Sequence, residues 1–342
     1  MPTTPLAAAE GPVRVSVLSE GNAVPDEALI ISVTIGKALN RVPWARLTLA
    51  DGDITKGTFD LSDSATFAPG AEIVVKLGHG GEETEVFRGI VVKQGVSITG
   101  NNVSRLVVDC HDKAVKLTVG RKSALYKDMT DSSVISQIVS DAGLSAGTID
   151  ATTLLNRQLV QHYCSDWDFL LARAEANGMV VMVDGGSVGV ARPAVTGSAA
   201  LKVTFGESII DFKAELDARQ QYTEVKATAW SPKDQALLTG AASPASLNRQ
   251  GNLDSSKLAG VLGLGTFELR SDTAMSAEAL KGWAAAQQLK SGLARLRGHM
   301  KFQGSALAQA GPDHAGRRGQ ALRRQPLRQQ PHPSGGGRKL DH

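Results

Sequence analysis

The chain has 342 residues, 42% hydrophobic and 21% charged, an ordinary globular mixture long enough for two or three small domains. Its net charge of +3 is misleading, because Gly311 to His342 holds six Arg, one Lys and two Asp and leaves the rest slightly acidic. The globular part therefore shows no basic surface for nucleic acid, and no apolar run approaches the ~18 residues of a bilayer span, so no stable membrane insertion is expected. Met1 to Gly11 carries neither a basic residue nor an apolar core, so assembly in the cytoplasm is expected rather than secretion. Cys110 and Cys164 are too few for a disulfide framework and read as small buried side chains.

Residues 1–120 read as β structure. Short runs rich in β-branched residues recur at Val13–Leu18, Leu29–Ile35, Ala45–Leu49, Glu72–Leu77, Val86–Val92 and Ser104–Asp109. Gly80-Gly81 and Gly100-Asn101-Asn102 stand between such runs, where positive φ is cheap and a hairpin can turn. This spacing predicts an antiparallel barrel or sandwich.

Residues 121–195 change character and predict an α/β insertion. Val134, Ile135, Ile138, Val139 and Ala142 recur at helical spacing after Asp131-Ser132, with Gly143 as the stop. A second helix starts at Ser165, a good N-cap, with Asp166 and Asp168 in its first turn and Asn177-Gly178 at its end. Next comes a hairpin: Met179–Val183, the turn Asp184-Gly185-Gly186-Ser187, and Val188–Ala191. From 196 to 310 the β pattern returns at Leu201–Phe205, Ile209–Leu216 and Tyr222–Trp230. A long loop is predicted over Gly240–Leu264, a helix capped by Ser276, and a strand at Gly298–Phe302. The fold class is mainly β with an α/β insert, arranged as two β-barrels, the second incomplete.

Chemical motifs are sparse. Gly185-Gly186-Ser187-Val188-Gly189 spells a nucleophile elbow, but that motif works on a strand-to-helix turn and this one joins two short strands. A hydrolase using Ser187 is the alternative it leaves, and a monomeric β-barrel binding module is another. Cys110 and His111 are neighbours in an extended run and point to opposite faces; His162 and Cys164 could share one, short of the four ligands of a structural zinc site. Gly260–Gly265 lacks the lysine of a phosphate loop. No catalytic residue, cofactor site or metal site is expected.

Three stretches together resemble the hub region of VgrG-type spike proteins, the family that includes phage late control protein D. They are Phe87-Arg88-Gly89-Ile90-Val91 with Leu106-Val107-Val108-Asp109, the run Leu159–Leu170 continuing to Gly178, and Gly298–Ala306. The middle stretch is the specific one, through Ser165, Asp166, Trp167, Asp168, Phe169, Leu170, Glu175 and Gly178. The resemblance implies fold-holding roles for these residues. It also implies a non-enzymatic homotrimer that adapts a six-fold tail tube to a three-fold spike in a phage tail, type VI apparatus or extracellular injection particle. The partners implied are the tail-tube protein, other baseplate proteins, and spike-tip or effector proteins. The product would assemble in the cytoplasm and end in the particle.

Residues 311–342 depart from this pattern: they form a basic tail without Val, Ile, Phe, Tyr or Trp. A one-base shift after Ala308, with wobble bases chosen freely, permits alternating apolar and polar strands instead. A frameshifted, disordered tail is therefore expected, and resequencing the gene tests it: if no neighbouring frame encodes such strands, the idea fails.

Overall fold

The computed structural model describes residues 13–304, apart from 26–27, 80–81, 101–102, 196–200, 248–253, 264 and 303. The basic tail and the tips of the two glycine- and asparagine-rich turns lie outside the described residues.

The first region is a seven-stranded antiparallel sheet. Its strands are β1 (Val13–Ser19), β2 (Asn22–Ala23), β3 (Ile30–Gly36), β4 (Trp44–Ala50), β5 (Glu72–His79), β6 (Glu82–Ile98) and β7 (Ser104–His111), in the order β2-β1-β5-β6-β7-β4-β3. All six predicted runs are strands. His79 pairs with Glu82 and Ile98 with Ser104, so both expected hairpins form. Alternation puts Leu47, Leu49, Ile73, Val75, Phe87, Val91, Leu106 and Val108 on one face, with Phe67 from the 3-10 turn Ala65–Phe67 sealing it. Val17 of β1 and Val33 and Ile35 of β3 join the same cluster, so the sheet curls around one core. The predicted barrel needs correction on one point: β2 and β3 end the sheet and do not pair with each other, so the sheet is not closed.

The second region holds β8 (Lys122–Thr130), α1 (Asp131–Asp141), β9 (Ser145–Ile149), β10 (Leu155–Cys164), α2 (Asp166–Ala176), β11 (Val180–Asp184) and β12 (Ser187–Ala191). β8 and β10 pair antiparallel, and β9 lies parallel to β12 beside the β11–β12 hairpin. Gly185 and Gly186 both take positive φ, 58° and 82°, the mirror-image turn that suits strand twist. The apolar faces of α1 and α2 close the core with Val181, Val183, Val188 and Val190.

The third region contains β13 (Ile209–Leu216), β14 (Glu224–Ser231), β15 (Ala236–Ala242), α3 (Ser255–Leu262), β16 (Thr266–Ser271), α4 (Ala277–Leu293) and β17 (Leu296–Phe302). β15, β14 and β16 form one sheet, on which Leu280 and Ala284 of α4 pack against Val225, Ala227 and Ala229. Among the described residues, β13 pairs only with β17. Two expectations fail here. Leu201–Phe205 is not a strand: the N–H groups of Ser208 and Ile209 both turn back to the Thr204 carbonyl. The predicted loop at Gly240–Leu264 contains α3, whose N-cap Asp254 accepts from the Lys257 N–H at 2.8 Å. Small residues made that stretch read as loop, although alanine and leucine favour helix once capped. Among the described residues, no helix is long and apolar enough to cross a membrane.

Candidate functional site

The residues singled out in the sequence converge on α2 and what it touches. Ser165 caps the helix in both senses: its Oγ accepts from the Asp168 N–H at 3.1 Å and donates to Asp168 Oδ2 at 2.6 Å. Asp166 sits at the positive end of the helix, meets Lys122 Nζ at 2.9 Å, and accepts from Gln161 Nε2 at 2.9 Å. Gln161 is 0% exposed, and its Oε1 accepts from the Tyr126 hydroxyl at 3.2 Å. Burial holds Tyr126 above the ordinary phenol range, so it stays a donor. Its ring stacks on Phe169 at 5.8 Å. Trp167, Phe169, Leu170 and Ala174 are buried in the core shared with α1 and β11.

The last turn of α2 makes the other connections. Arg173 forms a two-pronged pair with Asp131, Nε to Oδ1 at 2.7 Å and Nη2 to Oδ2 at 2.9 Å, where Asp131 is 2% exposed. Asn177 Nδ2 donates to Asp131 Oδ2 at 2.7 Å, and Asn156 Nδ2 to Oδ1 at 3.3 Å. One carboxylate thus joins the start of α1, the end of α2 and β10. Glu175 pairs with Lys290 of α4. Gly178 takes φ of 66°, and a Cβ there would lie 3.2 Å from Ala286 Cα, so a glycine serves both the helix stop and the approach of α4. Sequence reasoning assigned no such bonds to Asp131, Asn156, Gln161 or Arg173, whose side-chain partners here lie 5 to 46 positions away.

A second junction ties the hairpin to the first sheet. Asp112, buried, accepts from the Ala114 N–H at 2.9 Å and the Gly186 N–H at 3.0 Å. Asn40 and Val181 exchange two bonds, each of 2.8 Å. Burial raises the Asp112 carboxyl above its ordinary range, outweighing those two N–H donors. Asp112→Ala is expected to cost about 1–3 kcal/mol, since it strands two N–H groups. The sign of its pH dependence follows from the raised folded pKa. The contribution of Asp112 is full below its unfolded value and declines as pH rises through the folded one, so the difference between native and variant chains shrinks over that window. Denaturant titrations across pH 3.5–7 check this; a difference that grows with pH refutes it.

The chemical motifs come apart in three dimensions. Ser187 lies in a hairpin between antiparallel strands, with β9 parallel on the far side, so it has no strand-to-helix elbow. Cys110 faces the core of the first sheet, and burial pushes its thiol up to about 12, whereas His111 points to the other face. His162 is exposed on β10. Among the described residues, no three His, Cys, Asp or Glu side chains gather as metal ligands. Gly260–Gly263 belongs to α3 and its left-handed cap, not to a phosphate loop.

An open β-sheet core, an α/β insert and a helix tying the insert to the third region make a fold that two tail proteins of known structure share. The 43 kDa tail protein of prophage MuSo2 from Shewanella oneidensis superposes with a TM-score of 0.61 at 12% identity, over 87% of this chain and 86% of that one. A tail protein from Neisseria meningitidis MC58 superposes with a TM-score of 0.54 at 14% identity, over 80% and 74%. By sequence, the chain belongs to the Alg8 N-terminal domain family, whose model matches residues 9–313. No curated protein matches it.

Proposed function

We propose that this chain is a non-enzymatic structural component of a phage-type tail or contractile injection particle. We place it at the baseplate hub, as a homotrimer between a six-fold tail tube and a three-fold spike. The observation that carries the reading is the shared fold over most of both chains with a phage tail protein. The residues resembling VgrG-type spikes support the finer placement. Ser165 through Gly178 fasten the insert within itself and to the third region. We keep the division into a first β region at 1–120, an insert at 121–195 and a second β region at 196–310 as part of this proposal. The tail-tube protein and spike-tip or effector proteins are its proposed partners, and the particle its destination.

Native mass spectrometry of the purified chain at micromolar concentration tests the reading. Three copies per particle, and co-purification with the tube protein encoded nearby, are expected. A single copy that ignores the tube protein would be the monomeric binding module instead.

A further inference from the structure

The β13–β17 ribbon is amphipathic and, among the described residues, uncovered. On one face Asp211, Lys213 and Glu215 stand opposite Lys301, His299 and Arg297, with Asp211 and His299 joined at 2.8 Å. On the other, Phe212, Ala214 and Leu216 stand opposite Met300, Gly298 and Leu296. This second face is apolar, yet Phe212 is 38% exposed, Leu216 45% and the neighbouring Ile210 66%, and none of them joins any buried cluster of the described residues. A two-stranded ribbon is marginal in water unless its apolar face is covered. Among the described residues each strand of the ribbon has one partner, which leaves both ribbon edges open there.

Residues 305–342 contain no Val, Ile, Thr, Phe, Tyr or Trp, and residues 1–12 include three prolines and no Val, Ile or aromatic residue. Charge narrows the choice of occupant. β13 presents two acids around one lysine, and β17 presents two bases with a histidine, so the free edge of each strand complements the free edge of the other. Two ribbons of the same chain can therefore join β17 to β13 with matched charges, in the head-to-tail manner that closes rings.

We propose that the β13–β17 ribbon is the self-association surface of this chain, covered by the same ribbon of a second copy. The inference rests on the hub reading and names the surface through which copies meet. Edge pairing extends the sheet, and the twist of the joined ribbons as successive copies close a ring curls them around their common apolar face, removing Phe212 and Leu216 from water.

The test uses the full chain carrying both Phe212→Glu and Leu216→Glu. These side chains are partly exposed in the single copy, so the double variant is expected to keep its circular dichroism and melting temperature and to run as a single copy where the native chain associates. Amide exchange of 209–216 and 296–302 in the native chain is expected to slow as concentration rises. A folded double variant that keeps the native copy number overturns this surface while leaving the hub reading intact. Should the variant fail to fold, the exchange measurement decides alone, and protection independent of concentration overturns the proposal. Association with the tube protein reports separately on the hub reading.

Discussion

Replacing Asp131 with alanine is expected to lower the unfolding free energy by about 3 kcal/mol, toward the lower end of the range for breaking a buried ion pair. The carboxylate is 2% exposed and receives Arg173 through two atoms, with Asn177 and Asn156 completing its acceptors. Alanine leaves the guanidinium and both amides without that partner. The loss stays at the lower end because about a quarter of the Arg173 side chain still reaches water. Adding Arg173→Ala is expected to recover part of it, because the stranded charge is then gone. Denaturant unfolding of the single and double variants measures both steps. A single-variant loss below about 1 kcal/mol would show that water replaces the network, and α2 would not be the fastening described above.

A loss of about 3–5 kcal/mol is expected for Phe87→Ala. Its ring lies in the core of the first sheet, over Gly89, where a Cβ would sit 2.3 Å from the His111 carbonyl oxygen and 2.7 Å from the ring itself. The glycine gives the ring its space, and β6 is hydrogen-bonded to β5 on one side and β7 on the other. The strands are thus held apart by their own ladder and cannot close on the void, which puts the substitution at the costly end for its type. Phe87→Leu should cost less than half as much, since most of the volume remains. Equilibrium unfolding with a fluorescence readout checks the pair; equal losses for alanine and leucine would mean that ring shape, not filled volume, holds the sheet.

Phe87 falls in one of the stretches that resemble the hub family, and Asp131, outside them, receives Arg173 and Asn177 from another. The Phe87–Val91 run is a core strand beside a glycine that permits close approach of its neighbour. The run from Gln161 to Gly178 is a cap, a buried face and three polar fastenings. The resemblance implies fold-holding roles for Ser165 through Leu170, Glu175 and Gly178, and among them Ser165, Asp166 and Glu175 make the bonds described above.

Local signals carried much of the fold. Alternation located the strands of the first sheet, Ser165 and Ser276 marked helix starts through their own side-chain bonds, and Gly185-Gly186 defined a turn through backbone freedom. Each depends on residues within a few positions of one another, so a sequence displays it. β8 and β10 escaped notice because their alternation is not clean: Leu125 and Val160 stand exposed on the outer face beside Lys127, Gln158 and His162. Strand order in the curled sheet, the gathering of Asn156, Arg173 and Asn177 on Asp131, and the exposure of the β13–β17 apolar face were decided by tertiary structure alone. Pairing partners and burial depend on contacts between distant segments, and no local pattern of charge or apolarity specifies which segments meet.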